Sequence, residues 1–292
     1  MKNLIIYAFC LGTAYLALGQ EEKETITRDL SFRGGGSNQV LQIDNINGNV
    51  RVEAYEGTTV QLEVEKTLKA SSPEELARAR QEIKLGIDQA GDSILVYIEG
   101  PSIYRRGPTG WRRYSEQGNG NGWNNRDRNY HYDFNFKIKV PARTNLIVST
   151  VNAGDVRVDN VQGVVHASNI NGGVYLTGVG GQTKASTING PVQVVHRQNP
   201  TQSCSYRTHN GKIEVSYPPG LSADLRFKAK NGEAYTDFDV AEQLAATVEK
   251  TSNSSKGNSY RYESASGVRI GKGGLQHTFE TYNGDIMVRK IK

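Results

Sequence analysis

ASNINGGVYL (residues 167–176) and ASTINGPVQV (residues 185–194) are one phrase written twice, 18 residues apart. Each holds Ile-Asn-Gly and then an apolar alternation, Val174 and Leu176 in the first copy and Val192 and Val194 in the second. The phrase recurs as Ile46-Asn47-Gly48, His209-Asn210-Gly211, Lys230-Asn231-Gly232 and Tyr282-Asn283-Gly284. Val151-Asn152-Ala153-Gly154 is the same phrase with one residue inserted. The corner residues are therefore Asn47, Gly48, Asn171, Gly172, Asn189, Gly190, Asn210, Gly211, Asn231, Gly232, Asn283 and Gly284. From Asn152 onward the intervals are 19, 18, 21 and 21 residues, followed by a gap of 52. A period of roughly 20 residues is the signature of a stacked-repeat architecture.

The alternation after each Asn-Gly places one side of a short strand in a core and the other in water. Further turn punctuation falls midway, at Gln162-Gly163 and Gly180-Gly181, so each unit holds two strands and two turns. Two all-β architectures fit. Asn-Gly between apolar runs is a strong hairpin signal and gives an antiparallel meander. A parallel β-solenoid instead makes each repeat one coil, with coils about 4.8 Å apart. The steady interval favours the solenoid, because like residues then lie above one another and the Asn amides bond along the stack. Gly at the corner tolerates backbone conformations closed to other residues.

The segment before the main repeats reads differently. Ile26–Phe32, Val40–Ile43, Val50–Val52, Val60–Leu68 and Ile94–Ile98 are predicted strands. Ser72-Pro73-Glu74-Glu75 predicts a helix start, with a capping hydroxyl, Pro in the first turn and Glu to close the capping box. Leu76, Ala79 and Ile83 then make one apolar stripe, so a short helix is predicted over 73–84. Asp239 opens a second helix candidate through about Glu249, and Thr251–Ser259 reads as a loop.

In composition the 292-residue chain is Gly-rich (32 residues), with 36% hydrophobic and 22% charged side chains. That is too apolar for wholesale disorder, and the Gly lacks the collagen period. Two Cys exclude a disulfide-dense scaffold and a four-thiolate metal site. Lys2 followed by the apolar run Leu4–Leu18 and small Ala17 and Gly19 predicts a signal peptide over 1–19, since the run falls short of the ~20 residues of a membrane span. Phe9 before Cys10 does not suit lipidation, so Cys204 is the one thiol of the mature chain, read as a buried filler. The predicted organisation is signal peptide 1–19, N-terminal β segment 20–100, flexible loop 101–133 and β-repeat region 134–292. The expected location is periplasmic, outer-envelope or extracellular.

The stretch 101–133 holds both tryptophans and an excess of arginine. Tyr104, Arg105, Arg106, Trp111, Arg112, Arg113, Trp123, Arg126 and Arg128 make it a candidate ligand-binding loop, since Arg beside Trp and Tyr pairs with anions and stacks on flat rings. Acidic glycan, a membrane surface or another envelope protein are the partners such a loop suits. Nucleic acid is not an expected partner of an exported chain.

No catalytic constellation emerges. His131, His166, His196, His209 and His277 show no metal-ligand spacing, and the Gly-rich runs Gly178–Gly181 and Gly271–Gly274 sit among strands rather than before a helix. His166 and His196 share a Val-Val-His context but fall at different points of the repeat. Asp44, Asp155 and Asp285 beside the corners read as turn stabilisers rather than Ca²⁺ ligands. No cofactor, metal or catalytic residue is assigned, and the chain reads as a non-enzyme.

The Asn-Gly-x-Val phrases, Lys230-Asn231-Gly232-Glu233, and Gly271-Lys272-Gly273-Gly274 leading to Thr281-Tyr282-Asn283-Gly284-Asp285-Ile286 together resemble the bacterial "putative adhesin" family of β-strand-repeat proteins, domain of unknown function 4097. The likeness spans roughly 25–290. It implies an exported β-repeat protein at the envelope or surface with an adhesin-like binding or scaffolding role. It brings no catalytic residues. The alternatives are a carbohydrate-active β-helix enzyme and an envelope regulatory module docking to a membrane protein.

Overall fold

The computed structural model describes residues 20–34, 36, 38–101, 129–245, 248–253, 257–262 and 266–292. In the N-terminal part these form β1 (Gln20–Leu30), β2 (Val40–Asp44), β3 (Val50–Tyr55), β4 (Val60–Ala70), α1 (Pro73–Glu82), β5 (Lys84–Ala90), β6 (Ser93–Glu99) and β7 (Tyr130–Pro141). The central repeats supply β8 (Asn145–Ser149), β9 (Val156–Asp159), β10 (Val165–Ser168), β11 (Val174–Val179), β12 (Thr183–Ser186), β13 (Val192–His196), β14 (Ser205–Asn210) and β15 (Ile213–Tyr217). The C-terminal part adds β16 (Ala223–Asn231), β17 (Ala234–Thr236), β18 (Val240–Leu244), β19 (Val248–Asn253), β20 (Gly257–Tyr262), β21 (Ser266–Ile270), β22 (Leu275–Asn283) and β23 (Ile286–Lys290).

The fold is all-β, with two large mixed sheets whose strands are mostly parallel, and neither sheet closes on itself. The ten-stranded sheet runs β1-β4-β7-β3-β9-β11-β13-β15-β23-β17. The eleven-stranded sheet runs β18-β21-β16-β22-β14-β12-β10-β8-β2-β6-β5, and β19 and β20 pair as a separate hairpin. Through the central repeats the chain alternates between the large sheets, moving one strand along at each return. In the ten-stranded sheet Val156, Val174, Val192, Ile213 and Ile286 lie in one register column, and Val158, Leu176, Val194, Val215 and Val288 in the next. All are buried, and they meet the inward residues of the other sheet in one core. Each such side chain withdraws enough apolar surface to contribute about 1.5–3 kcal/mol before entropy.

Antiparallel pairing flanks the parallel stack: β1–β4–β7 and β5–β6 at one end, β16–β21–β18 at the other. The repeat of Ile46-Asn47-Gly48 belongs to the stack itself, since β2 pairs with β8 and β3 with β9. Spatial and chain order part company near the C terminus: β22 lies between β14 and β16, and β23 between β15 and β17. The 52-residue gap is the excursion through β18–β21 before the chain turns back into the stack.

Helix α1 starts as the sequence implies, with Ser72 Oγ accepting the Glu75 N–H (3.2 Å) and Pro73 opening the first turn. It ends at Glu82, because Ile83 is already extended and leads into β5. Three readings are corrected. The segment opened by Asp239 is not helical: Val240–Leu244 is a strand registered against β21, so the ladder of a neighbouring strand outweighs a weak helical pattern. The Ser- and Asn-rich stretch at 251–259 is largely the β19–β20 hairpin, with Ser252 opposite Asn258. β7 also begins at Tyr130, inside the stretch read as loop, because Tyr130, Tyr132, Phe134 and Phe136 continue one alternation across β4.

Candidate functional site: the repeat corner

The Asn-Gly corners align into columns. Asn152 Nδ2 donates to Asn47 Oδ1 (3.3 Å), Asn171 to Asn152 (2.9 Å), Asn189 to Asn171 (3.0 Å) and Asn210 to Asn189 (2.8 Å). Asn283 continues to Asn210 (2.7 Å) and Asn231 to Asn283 (2.7 Å). At the far end Asn47 Nδ2 donates to the Tyr132 carbonyl (3.0 Å). Every amide points the same way, so the ladder is a continuous directed chain of hydrogen bonds.

The glycines explain why this stacking is possible. A Cβ on Gly190 would lie 2.2 Å from the Gly172 carbonyl oxygen, and one on Gly211 2.0 Å from that of Gly190. Only Gly48 and Gly284 among the corner glycines have positive φ. The requirement is thus close approach of adjacent backbones more than a left-handed conformation. Two residues before every corner Asn but Asn231, which Ala229 precedes, stands an inward Thr or Asn, and these side chains secure those same carbonyls. Thr187 Oγ1 donates to Gly172 O (2.8 Å), Thr208 to Gly190 O (2.8 Å), Thr281 to Gly211 O (3.1 Å) and Asn169 Nδ2 to Gly154 O (2.8 Å).

Between the inward Thr/Asn and the corner Asn lies a residue that points outward. The backbone bonds from Asn171 to Val151, Asn189 to Ile170 and Asn210 to Ile188 place these positions in line. The column reads Ile46, Val151, Ile170, Ile188, His209, Tyr282 and Lys230. Ile170 is 38% exposed, Ile188 45% and Tyr282 38%. His209 and Tyr282 stack at 4.8 Å between ring centres, and Lys230 Nζ sits 4.5 Å from the Tyr282 ring and donates to its hydroxyl (2.9 Å). On one flank runs the Asn ladder. On the other, two residues earlier, Asp44, Ser149, Ser168, Ser186, Arg207 and Glu280 form a polar column in register. The usual polarity is inverted here, with Thr and Asn inside and Ile outside. That inversion is visible in Ser168-Asn169-Ile170 and Ser186-Thr187-Ile188 once the register is known. The repeat phrase contained these residues, but periodicity alone did not single them out as a surface.

The corner carboxylates hold the stack. Asp155 Oδ1 accepts the Gly173 N–H (2.9 Å), Asp285 Oδ1 the Glu233 N–H (3.1 Å), and Asp44 accepts from Gln42 and Ser149. His166 lies half-buried on the outer side of β10, whereas His196 is inside on β13. The candidate loop residues Tyr104, Arg105, Arg106, Trp111, Arg112, Arg113, Trp123, Arg126 and Arg128 lie outside the described residues.

A second polar group is enclosed in the core. Tyr217 is sandwiched between His196 (4.8 Å) and His277 (5.6 Å), and donates to Tyr206, whose hydroxyl is 2.7 Å from His196 Nε2. His277 Nδ1 accepts the Cys204 N–H (3.1 Å), and Cys204 is buried. Burial pushes His196 down to about 3, with help from nearby His277, and His277 down to about 4. Burial likewise raises the Tyr206, Tyr217 and Cys204 values. Both imidazoles are neutral in the fold, and the cluster is shut away from solvent, with His196, His277, Tyr206 and Tyr217 all buried.

Among the described residues no group of three or more His, Cys, Asp or Glu is arranged to hold a metal, and no helix is long and apolar enough to cross a membrane. No protein-family model matches the chain, nor does any curated protein. It is similar to a solved structure described as a "putative cell adhesion protein" from Clostridium sporogenes, at 10% identity and TM-score 0.42, covering 94% of this chain and 100% of that one. A "putative adhesin" from Bacteroides fragilis matches at 9% identity and TM-score 0.37, covering 92% and 97%. A "putative lipid binding protein" from Parabacteroides distasonis matches at 10% identity and TM-score 0.28, covering 92% and 97%.

Proposed function

We propose that the chain is an exported, non-enzymatic binding protein of the cell envelope or surface, in which the stacked repeats act as a β-solenoid rod and the repeat corner is its recognition face. The observation that carries the reading is the in-register column of outward Ile170, Ile188 and Tyr282, extended by Ile46, Val151 and His209. Exposed apolar side chains lined up in this way, with His209 between Ile188 and Tyr282, cost solubility, and proteins keep such surface where something docks. The repeat imposes one side chain per strand spacing, about 4.8 Å, so the face suits an extended, repetitive ligand rather than a compact one. The solenoid reading is supported by the parallel, in-register pairing of β9, β11, β13 and β15.

A glycoside hydrolase canonically works with two carboxyl groups flanking the scissile bond. The outer carboxylates of Asp155, Glu214, Glu280 and Asp224 are each paired with an arginine, at 2.8–3.0 Å, which favours the non-enzymatic reading. The test is a panel of soluble glycans and vesicles against the purified chain, beside the Ile188→Ser/Tyr282→Ala variant. Loss of a bound ligand with an unchanged circular dichroism spectrum supports the corner. Binding that survives in this variant but vanishes on deletion of 104–130 moves the site to that stretch.

A further inference from the structure

The outer face that adjoins the corner column is basic. Along β12, β14, β22 and β16 it presents Lys184, Arg207, Arg226, Lys228 and Lys230, with Glu280 set among them. Glu280 serves two cations at once, Arg207 at 3.0 Å and Lys228 at 3.4 Å. Asp224, near the start of β16, and Glu242 on β18 share Arg269. The opposite sheet is balanced by comparison: Arg51 faces Asp159 and Lys137 faces Glu63. Positive excess therefore coincides with the exposed Ile and Tyr line on one side of the molecule.

We infer that the ligand of this face is a linear anionic polysaccharide, of uronate or sulfated type; the inference rests on the corner being the recognition face. Three features point to it. First, sugar rings have apolar faces that lie on Ile and Tyr side chains, and the column offers them in a row at near-constant spacing. Second, carboxylate or sulfate groups along such a chain meet Lys184, Arg207 and Lys228 to the side of that row, where charge complementarity selects a polyanion over a neutral polymer. Third, the apolar line is one residue wide. Asn171 and Asn189 flank it on one side and Ser168 and Ser186 on the other, so inserting it into lipid would drag amides and hydroxyls into hydrocarbon at a cost of several kcal/mol each. A polymer lying along the ridge leaves those polar columns hydrated.

The experiment is affinity electrophoresis of the purified chain in gels containing polygalacturonate, heparin or neutral dextran, at low and physiological salt. Flotation with anionic phosphatidylglycerol vesicles and retention by single-stranded DNA run alongside. The expected result is retardation by an acidic polysaccharide, weakened by salt, with dextran inert. Lys184→Gln/Lys228→Gln lowers affinity about tenfold or more, while Arg51→Gln/Lys137→Gln on the opposite sheet leaves it unchanged. Equal loss from the opposite-sheet pair, or stronger retention by vesicles or DNA than by any polysaccharide, overturns the inference. Retardation by dextran that depends on Ile188 and Tyr282 but not on Lys184 and Lys228 also overturns it while the corner reading stands. Binding of nothing in the panel, or binding indifferent to Ile188 and Tyr282, sinks both.

Discussion

Asn283 Nδ2 donates to Asn210 Oδ1 at 2.7 Å across 73 residues of chain. That bond joins the C-terminal segment to the central repeats through the same amide ladder that links consecutive repeats. A ladder of this kind gains by being unbroken, because each amide both donates and accepts.

Asn210→Ala removes two ladder bonds at once and leaves Asn283 without its acceptor. The expected loss is about 1 kcal/mol, modest because water reaches the amides. Asn231→Ala, at the end of the ladder, removes one bond and costs less. Urea denaturation of the two variants ranks them.

Gly190→Ala and Gly220→Ala separate two reasons for glycine. At Gly190 the new methyl lands 2.2 Å from a backbone oxygen, so the stack must part, at about 3 kcal/mol or more. At Gly220 nothing lies within 4 Å, but φ is +80°, so the expected cost is only about 1 kcal/mol of backbone strain. Comparable midpoint shifts would show that the corner is less tightly stacked than described.

Stability falls on acidification. His196 and His277 have folded values depressed to about 3 and about 4, while in an unfolded chain His titrates near 6.5. Below about pH 6.5 the unfolded state therefore binds more protons, and each ring removes about 1.4 kcal/mol per pH unit until its folded value is reached. The facing Tyr206, Tyr217 and Cys204 have raised values and stay neutral through this window. Denaturant midpoints at pH 7.5 and 5 measure the slope. His277→Asn, which keeps an acceptor for the Cys204 N–H without the titration, roughly halves it.

Tyr206→Phe strands the Tyr217 hydroxyl and His196 Nε2 inside the core, and costs about 1–3 kcal/mol. Combining it with Tyr217→Phe removes the stranded hydroxyl, so the second substitution is cheaper in the Tyr206→Phe background than in the parent. A double-mutant cycle checks that coupling.

The repeat and its parallel stacking were legible because like residues at a steady interval fall above one another when each repeat forms one layer. The Asn ladder followed from the same observation. What stayed hidden depended on neighbours that sequence does not name. Nothing in the phrase assigns Ile188 a side until the register shows Thr187 facing in and Ile188 facing out. The segment from Asp239 to about Glu249 suits a helix until β21 takes up the backbone bonds of Val240–Leu244. His196 and His277, 81 positions apart, share Tyr217 only because β22 returns beside β14.

That return has a consequence for how the chain is made. Synthesis proceeds from the N terminus, yet β22 and β23, made after β16 and β17, belong in the interior of the stack. Until they arrive, β14 and β15 on one side and β16 and β17 on the other cannot take their final partners. A nascent chain is thus held short of a complete stack until residues 275–290 have emerged. Equally, a chain cut before β22 leaves a stack split at its seam, with open strand edges ready for proteolysis or aggregation.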